Sequence, residues 1–118
     1  PYLVDHVLHA DDSTSDTTLP SQLRQICTVQ EAEILQNMLQ GVVESGTGTG
    51  AQVEGVTVAG KTGTAENATG NDHSWFVGFA PAEDPQVAVA VLVENIGDGS
   101  ASGIAGQMIA AALETEKK

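Results

Sequence analysis

Val56-Thr57-Val58-Ala59-Gly60-Lys61-Thr62-Gly63-Thr64-Ala65 is the stretch from which the fold of this chain is read. Val56, Thr57 and Val58 alternate with the period of a strand. Carried on through Lys61, that period projects Thr62 and Thr64 to one face and Lys61 to the other. Gly63 leaves a bare backbone between the two threonines. A substrate strand can therefore lie along this edge, its main chain held by strand-type hydrogen bonds and its carboxylate by the two hydroxyls. Charge singles out the same place. The 118 residues hold four Lys or Arg against sixteen Asp or Glu, a formal net charge of -12. Arg24 stands far off in sequence and Lys117 and Lys118 form the tail, so Lys61 is the one cation of the Gly-rich middle. A cation set there is aimed at something anionic.

Downstream, Asn67 to Asp72 reads as the connection of a hairpin, and its Asn67-Ala68-Thr69 matches a glycosylation acceptor. His73 to Ala80 is the next strand, with Trp75 and Phe76 on opposite faces, and Pro81 to Pro85 turns the chain again. From Gln86 to Asn95, Val87, Val89, Val91 and Val93 alternate with Ala88, Ala90 and Leu92. Both faces are apolar, which predicts a strand covered on both sides. Gly97-Asp98-Gly99-Ser100 is the last turn. A helix then runs from Ala101 to Glu114 through Ile104, Met108, Ala111 and Ala112. Gly103 and Gly106 weaken that helix by about 1 kcal/mol each relative to alanine, and suit close packing on a sheet.

Upstream, Thr28-Val29-Gln30-Glu31 has the Thr-x-x-Glu pattern of a capping box and opens the clearest helix. Val29, Ala32, Leu35, Met38, Leu39 and Val42 recur at helical spacing, a stripe read as core, and Gly46 stands where a left-handed cap ends it. Tyr2 to Leu8 reads as a short strand, and Ala10 to Thr18, rich in Asp, Ser and Thr, as a solvated loop. His6 and His9 fall on opposite faces of that strand, so no metal pair is expected. The coarse picture is α+β: three antiparallel strands with flanking helices.

Composition bounds the rest. At 12.1 kDa the chain is one domain or part of one, and 41% apolar with 3% aromatic gives a core of Val, Ala, Leu and Ile. A pI near 4.2 argues against nucleic acid and against anionic membrane surfaces, both of which bind clustered Lys and Arg. With screening over about 8 Å at physiological salt, the local charge of Lys61 still attracts an anion. The single Cys27 rules out an internal disulfide and reads as a small buried apolar residue. No apolar run is long enough to cross a bilayer, and no signal-peptide pattern is expected within these residues. Because Pro1 rather than Met comes first, the chain is expected to begin inside something longer.

Two nucleotide-binding patterns invite attention. Ser45-Gly46-Thr47-Gly48-Thr49-Gly50 lacks Gly-x-Gly-x-x-Gly spacing and follows a helix, not a strand. Gly55-Val56-Thr57-Val58-Ala59-Gly60-Lys61-Thr62 satisfies the P-loop expression letter for letter, and Val89 to Glu94 looks like a Walker-B run. Its spacer, however, is an alternating strand, and Gly63, Asn67, Gly70 and Asn71 oppose the helix that must follow Lys-Thr. Nucleotide binding ranks a distant alternative.

Lys61-Thr62-Gly63-Thr64-Ala65-Glu66 followed by His73-Ser74-Trp75-Phe76-Val77-Gly78-Phe79-Ala80-Pro81 resembles the end of a transpeptidase domain of the high-molecular-weight penicillin-binding proteins. Gly46-Thr47-Gly48 before it and the Val-rich strand ending at Glu94-Asn95 extend the match from roughly Pro1 to Leu113. The resemblance implies a partial serine beta-lactamase and transpeptidase fold, with residues 1–118 the C-terminal part of that domain. It also implies acyl transfer by a serine to the D-Ala-D-Ala end of a peptidoglycan stem peptide, inhibited by beta-lactams. The family works with Ser-x-x-Lys, Ser-x-Asn and Lys-Thr-Gly. Ser21-Gln22-Leu23-Arg24 ends in an arginine that cannot serve as base, no Ser-x-Asn occurs, and only the third motif is present.

Carried over, Lys61 supplies positive potential to the relay serine and the substrate carboxylate. Thr62 and Thr64 bind that carboxylate, Gly63 admits the substrate backbone, and the Thr64 N–H is one of two oxyanion donors. The expected partners are the upstream part of the same parent chain carrying the two missing motifs, the stem peptide and beta-lactams, on the extracytoplasmic face of a bacterial membrane. No cofactor or metal is expected, and this piece alone is expected to be inactive. Alternatives are a non-catalytic interaction module, or a fragment of a beta-lactamase or beta-lactam sensor.

Overall fold

In a computed structural model, residues 3–19, 21–22, 24–68, 70–97 and 99–116 are described, with side chains except at 15, 16 and 116. Tyr2, Thr69, Asp98, Lys117 and Lys118 lie outside them, and with them parts of the expected first strand, glycosylation match, last turn and tail. The elements run β1 (His6–Leu8), β2 (Thr14–Thr17), α1 (Val29–Glu44), a 3-10 turn (Thr49–Ala51), β3 (Ala59–Ala65), β4 (His73–Ala80), β5 (Val87–Val93) and α2 (Ser100–Glu116).

Helix α1 starts where its first turn is satisfied. The Glu31 N–H donates to the Thr28 hydroxyl at 3.2 Å, and the Thr28 N–H donates to the Glu31 carboxylate at 2.7 Å, a reciprocal capping box. The bond from the Thr28 backbone, then that from its hydroxyl, holds the exposed Glu31 carboxyl below its ordinary value of 4.5. With the folded value below the unfolded one, this stabilisation is present above about pH 4.5 and is lost as pH falls through the lowered value. Helical circular dichroism is therefore expected to fall on acidification below pH 4.5, with a smaller drop for Glu31→Gln.

At its other end α1 departs from expectation. Gly46 is not in a left-handed conformation, and the cap is Ser45. The Val42 carbonyl accepts the N–H groups of both Gly46 and Gly48, at 3.1 and 2.9 Å, so the chain folds back tightly over the last turn. A Cβ on Gly46 would stand 2.9 Å from the Val42 backbone, so what this glycine supplies is room. The stripe is not core along its length either. Val43 is buried and Leu39 and Val42 half-buried, whereas Val29, Leu35 and Met38 are exposed because no described element covers the N-terminal half. Cys27 is half-buried, in a groove of about 360 Å³ with Ile26, Glu31, Ile34 and Leu35.

The main sheet is antiparallel in order β3-β4-β5, in the register Gly60↔Gly78, Thr62↔Phe76, Thr64↔Ser74 and Phe76↔Val91. Its regular part begins at Ala59, three residues later than the Val56 expected. Val56 makes an isolated bridge with Val53, and the Thr57 carbonyl accepts the Ala82 N–H at 2.8 Å. One face carries the core: Phe76 and Val91 with Ala101, Ala105 and Ile109 of α2, and Val43, Ala51 and Val58. The opposite face of β5 is uncovered by the described elements, leaving Ala88, Ala90 and Leu92 exposed where cover on both sides was expected.

The larger residues through which helix α2 was read in the sequence, Ile104 and Met108, do not face the core. Ala101, Ala105 and Ile109 are buried while Ile104 and Met108 are exposed. Small residues win this face because Gly106 meets the 3-10 turn closely: a Cβ there would be 3.1 Å from the Gly50 carbonyl and Ala51 Cα. The partner of that glycine is thus the 3-10 turn, not the sheet. At the start of α2 the Ala101 N–H donates to the Ser74 hydroxyl at 3.3 Å, both residues being buried. Ser74→Ala leaves that N–H without its acceptor and is expected to cost about 1–3 kcal/mol, read from the denaturant midpoint.

The expected loop at Ala10 to Thr18 is partly strand. Thr14–Thr17 pairs antiparallel with β1, since β-branched threonines favour extended backbone despite their polarity. The connecting turn is fixed by the Asp11 carboxylate, which accepts from the Ser13 N–H and hydroxyl. His6 lies on β1 with Asp5 at 2.8 Å, and His9 lies beyond the strand end. Among the described residues no three His, Cys, Asp or Glu gather as metal ligands.

Candidate active site

Strand β3 has β4 on one side, and among the described strands none on the other. Lys61, Thr62, Gly63 and Thr64 thus lie consecutively on an open edge. Alternation divides them as the sequence indicates. Gly60, Thr62 and Thr64 share the face of Gly78, Phe76 and Ser74, while Lys61 and Gly63 share the face of the exposed Val77 and Trp75.

The strand sits where it does because of what lies under it. Phe76 is fully buried, and its ring presses against the cross-strand glycine pair. A Cβ on Gly78 would fall 2.7 Å from both the ring and the Ala59 carbonyl, and one on Gly60 would collide with the ring and come 2.8 Å from the Val77 carbonyl. Two residues without side chains thus let the ring fill the space beside Thr62. Gly48 meets the same ring from above, its would-be Cβ 3.4 Å away.

That loop brings in a residue missed as a site member. Thr47, held between Gly46 and Gly48, places its hydroxyl 2.7 Å from the Thr62 hydroxyl. The signal was present in Gly46-Thr47-Gly48. Its partner was not legible, because the contact spans 15 residues and depends on the fold-back at Val42. Lys61 is exposed and donates from Nζ to the Thr62 carbonyl at 2.8 Å, which draws the ammonium in along the strand. Among the described residues Lys61 is in no ion pair.

Two hydroxyls in mutual contact, a third two residues along the same face and an ammonium rooted on the opposite face but bonded to the Thr62 carbonyl make this edge a donor-rich strip on an acidic protein. Such a strip suits a carboxylate, and the open strand edge beside it suits an extended peptide. The P-loop reading fails here on geometry. Gly60, Lys61 and Thr62 lie inside a strand, and β4, not a helix, follows them, so no N-terminal helix dipole faces a phosphate.

A model of the penicillin-binding protein transpeptidase domain matches residues 1–114. The chain is 43% identical over 102 residues, 83% of its length, to the peptidoglycan D,D-transpeptidase PbpA of Mycolicibacterium smegmatis, of which it covers 21%. It is 39% identical to PbpA of Mycobacterium tuberculosis, covering 98% of this chain and 26% of that protein. Among solved structures, the D,D-transpeptidase domain of a peptidoglycan glycosyltransferase from Eggerthella lenta superposes with a TM-score of 0.84 and 44% identity. That superposition covers 98% of this chain and 28% of that one. The imipenem acyl-enzyme of penicillin-binding protein A from M. tuberculosis gives 0.78 and 42%, over 96% and 26%. The chain belongs to the penicillin-binding protein transpeptidase family. It spans about a quarter of the length of these relatives.

Proposed function

We propose that this chain is the C-terminal part of the transpeptidase domain of a peptidoglycan D,D-transpeptidase, and supplies the edge that receives the donor stem peptide. What carries this is the open β3 edge with Lys61, Thr62, Gly63 and Thr64 in sequence and the Thr47 hydroxyl bonded to that of Thr62. The family membership and the acyl-enzyme formed by a structural relative support the same reading.

In this proposal the terminal carboxylate of D-Ala-D-Ala accepts hydrogen bonds from Thr62 and Thr64. Lys61 contributes positive potential, and Gly63 lets the substrate backbone approach. The Thr64 N–H donates to the carbonyl oxygen as it becomes an oxyanion. The serine nucleophile and its lysine base come from the Ser-x-x-Lys segment of the same parent protein, and the relay serine from Ser-x-Asn. The serine oxygen forms an ester with the penultimate residue as the terminal D-Ala leaves with a proton. An amine of a neighbouring strand then displaces the serine and forms the cross-link. A beta-lactam follows the first half of this course. The work takes place on the extracytoplasmic side of a bacterial membrane. No described helix of this chain is long and apolar enough to cross one.

Intact-mass spectrometry with a labelled penicillin tests the proposal, on this chain alone and mixed with the region of its parent that carries Ser-x-x-Lys. The expected adduct appears on the upstream piece, and only in the mixture. An adduct on this chain alone, or none in a folded mixture, would overturn it.

A further inference from the structure

The end of β3 at which Thr64 stands is fastened to a neighbouring connection by contacts among His73, Asn67 and Asn95. His73 opens β4 and pairs in register with Ala65, next to the Thr64↔Ser74 pair. Its Nδ1 accepts the backbone N–H of Asn95 at 3.1 Å, which fixes Nδ1 as the unprotonated nitrogen. Asn67, in the β3–β4 connection, donates from Nδ2 to the Asn71 carbonyl at 2.6 Å and to the Asn95 side-chain oxygen at 2.8 Å. The same amide nitrogen lies 3.4 and 3.5 Å from the two ring nitrogens of His73. A further bond runs from the Gly97 N–H to the Asp72 carbonyl at 2.9 Å. Two connections, one after β3 and one after β5, are thus tied together within one residue pair of Thr64. At the centre of the tie Asn95 has a φ of 57°, a left-handed backbone that a non-glycine residue holds only where its surroundings fix it.

Resting on the proposal above, we infer that His73 is a positioning residue for the substrate edge. Its Nδ1 lone pair holds the Asn95 turn against the β3–β4 connection, and through the Ala65↔His73 pair keeps the Thr64 hydroxyl and N–H where a carboxylate and an oxyanion meet them. The acceptor at the Nδ1 position carries this role; the volume and polarity of the ring do not. Two isopolar replacements separate these properties. His73→Asn puts an amide oxygen near the place of Nδ1, while His73→Gln puts it near that of Nε2.

The test is benzylpenicillin acylation of the full-length parent protein, resolved into a half-saturating concentration and a limiting rate, with a thermal melt of each variant. For His73→Gln the limiting rate divided by the half-saturating concentration is expected to fall about 10-fold, the worth of one positioning hydrogen bond, through both a higher half-saturating concentration and a lower limiting rate, because the Thr64 hydroxyl and N–H are displaced together. His73→Asn is expected to stay close to the parent. Equal behaviour of the two variants, whether both parent-like or both impaired, overturns the inference. A parent that penicillin does not acylate at all defeats the proposed function instead, so the two failures are told apart.

Discussion

Replacing Lys61 with alanine is expected to slow penicillin acylation of the reassembled enzyme by about 100- to 1000-fold, the usual cost of removing one preorganised charge-stabilising group. The expectation rests on how isolated this cation is. Among the described residues it is in no ion pair, and its ammonium is held to the strand by the Thr62 carbonyl. Among the described residues Arg24 is the other Lys or Arg, and it lies outside β3 to β5. Lys61 is also exposed, so the substitution is expected to leave the melting temperature within a degree or two of the parent, as for surface changes away from special features. Single-turnover acylation and a thermal melt on the same samples check both halves. A large loss of rate with an unchanged melt assigns the effect to the site, and an unchanged rate removes Lys61 from it.

Gly60→Val is the second, and its expected damage is to the fold. The new side chain would enter space held by the Phe76 ring and the Val77 carbonyl, and neither can retreat. Phe76 is fully buried among Val43, Val58 and Val91, and the carbonyl belongs to the β4 backbone. A cost of about 3 kcal/mol or more is expected, at the upper end of overpacking, seen as a large fall in the denaturant midpoint. Gly63→Ala is the control two residues away. Its Cβ would meet the Trp75 Cβ at 3.3 Å, a contact relieved by a small shift, so stability should barely change. A loss of acylation there reports on the substrate's approach to bare backbone. If Gly60→Val melts like the parent, the account of the glycine pair as the seat of Phe76 is wrong.

What could be read in advance was whatever local chemistry decides. The capping box at Thr28 and Glu31 satisfies its own donors and needs no tertiary partner, and β4 runs over the residues expected because Trp75 and Phe76 sort to opposite faces by alternation alone. The placing of Lys61 to Thr64 consecutively along one strand was legible because a strand fixes the relative direction of neighbours. What failed depends on which faces meet. The α1 stripe and both faces of β5 are apolar, and apolarity says that a surface wants cover without saying that this stretch of chain provides it. In α2 the helical pattern was traced through the larger Ile104 and Met108, yet the buried side holds Ala101, Ala105 and Ile109, and the close approach of the 3-10 turn leaves no room for a side chain at Gly106. Thr47 was missed for the same reason, as its partner is set by a fold-back of the backbone.

The contact between Thr47 and Thr62 also sets a count of hydrogens. Two hydroxyls own two protons, and their mutual bond occupies one of them, in whichever direction it runs. When Thr47 donates inward, the Thr62 proton is the one left to offer along β3, and its oxygen is made a better donor by the bond it has just accepted. An arriving anion selects this orientation over the reverse, whereas a ligand that offers only donors selects the other. The pair can thus turn either a proton or a lone pair toward a ligand with no movement of heavy atoms. Thr47→Val removes the partner that lets Thr62 do so cooperatively.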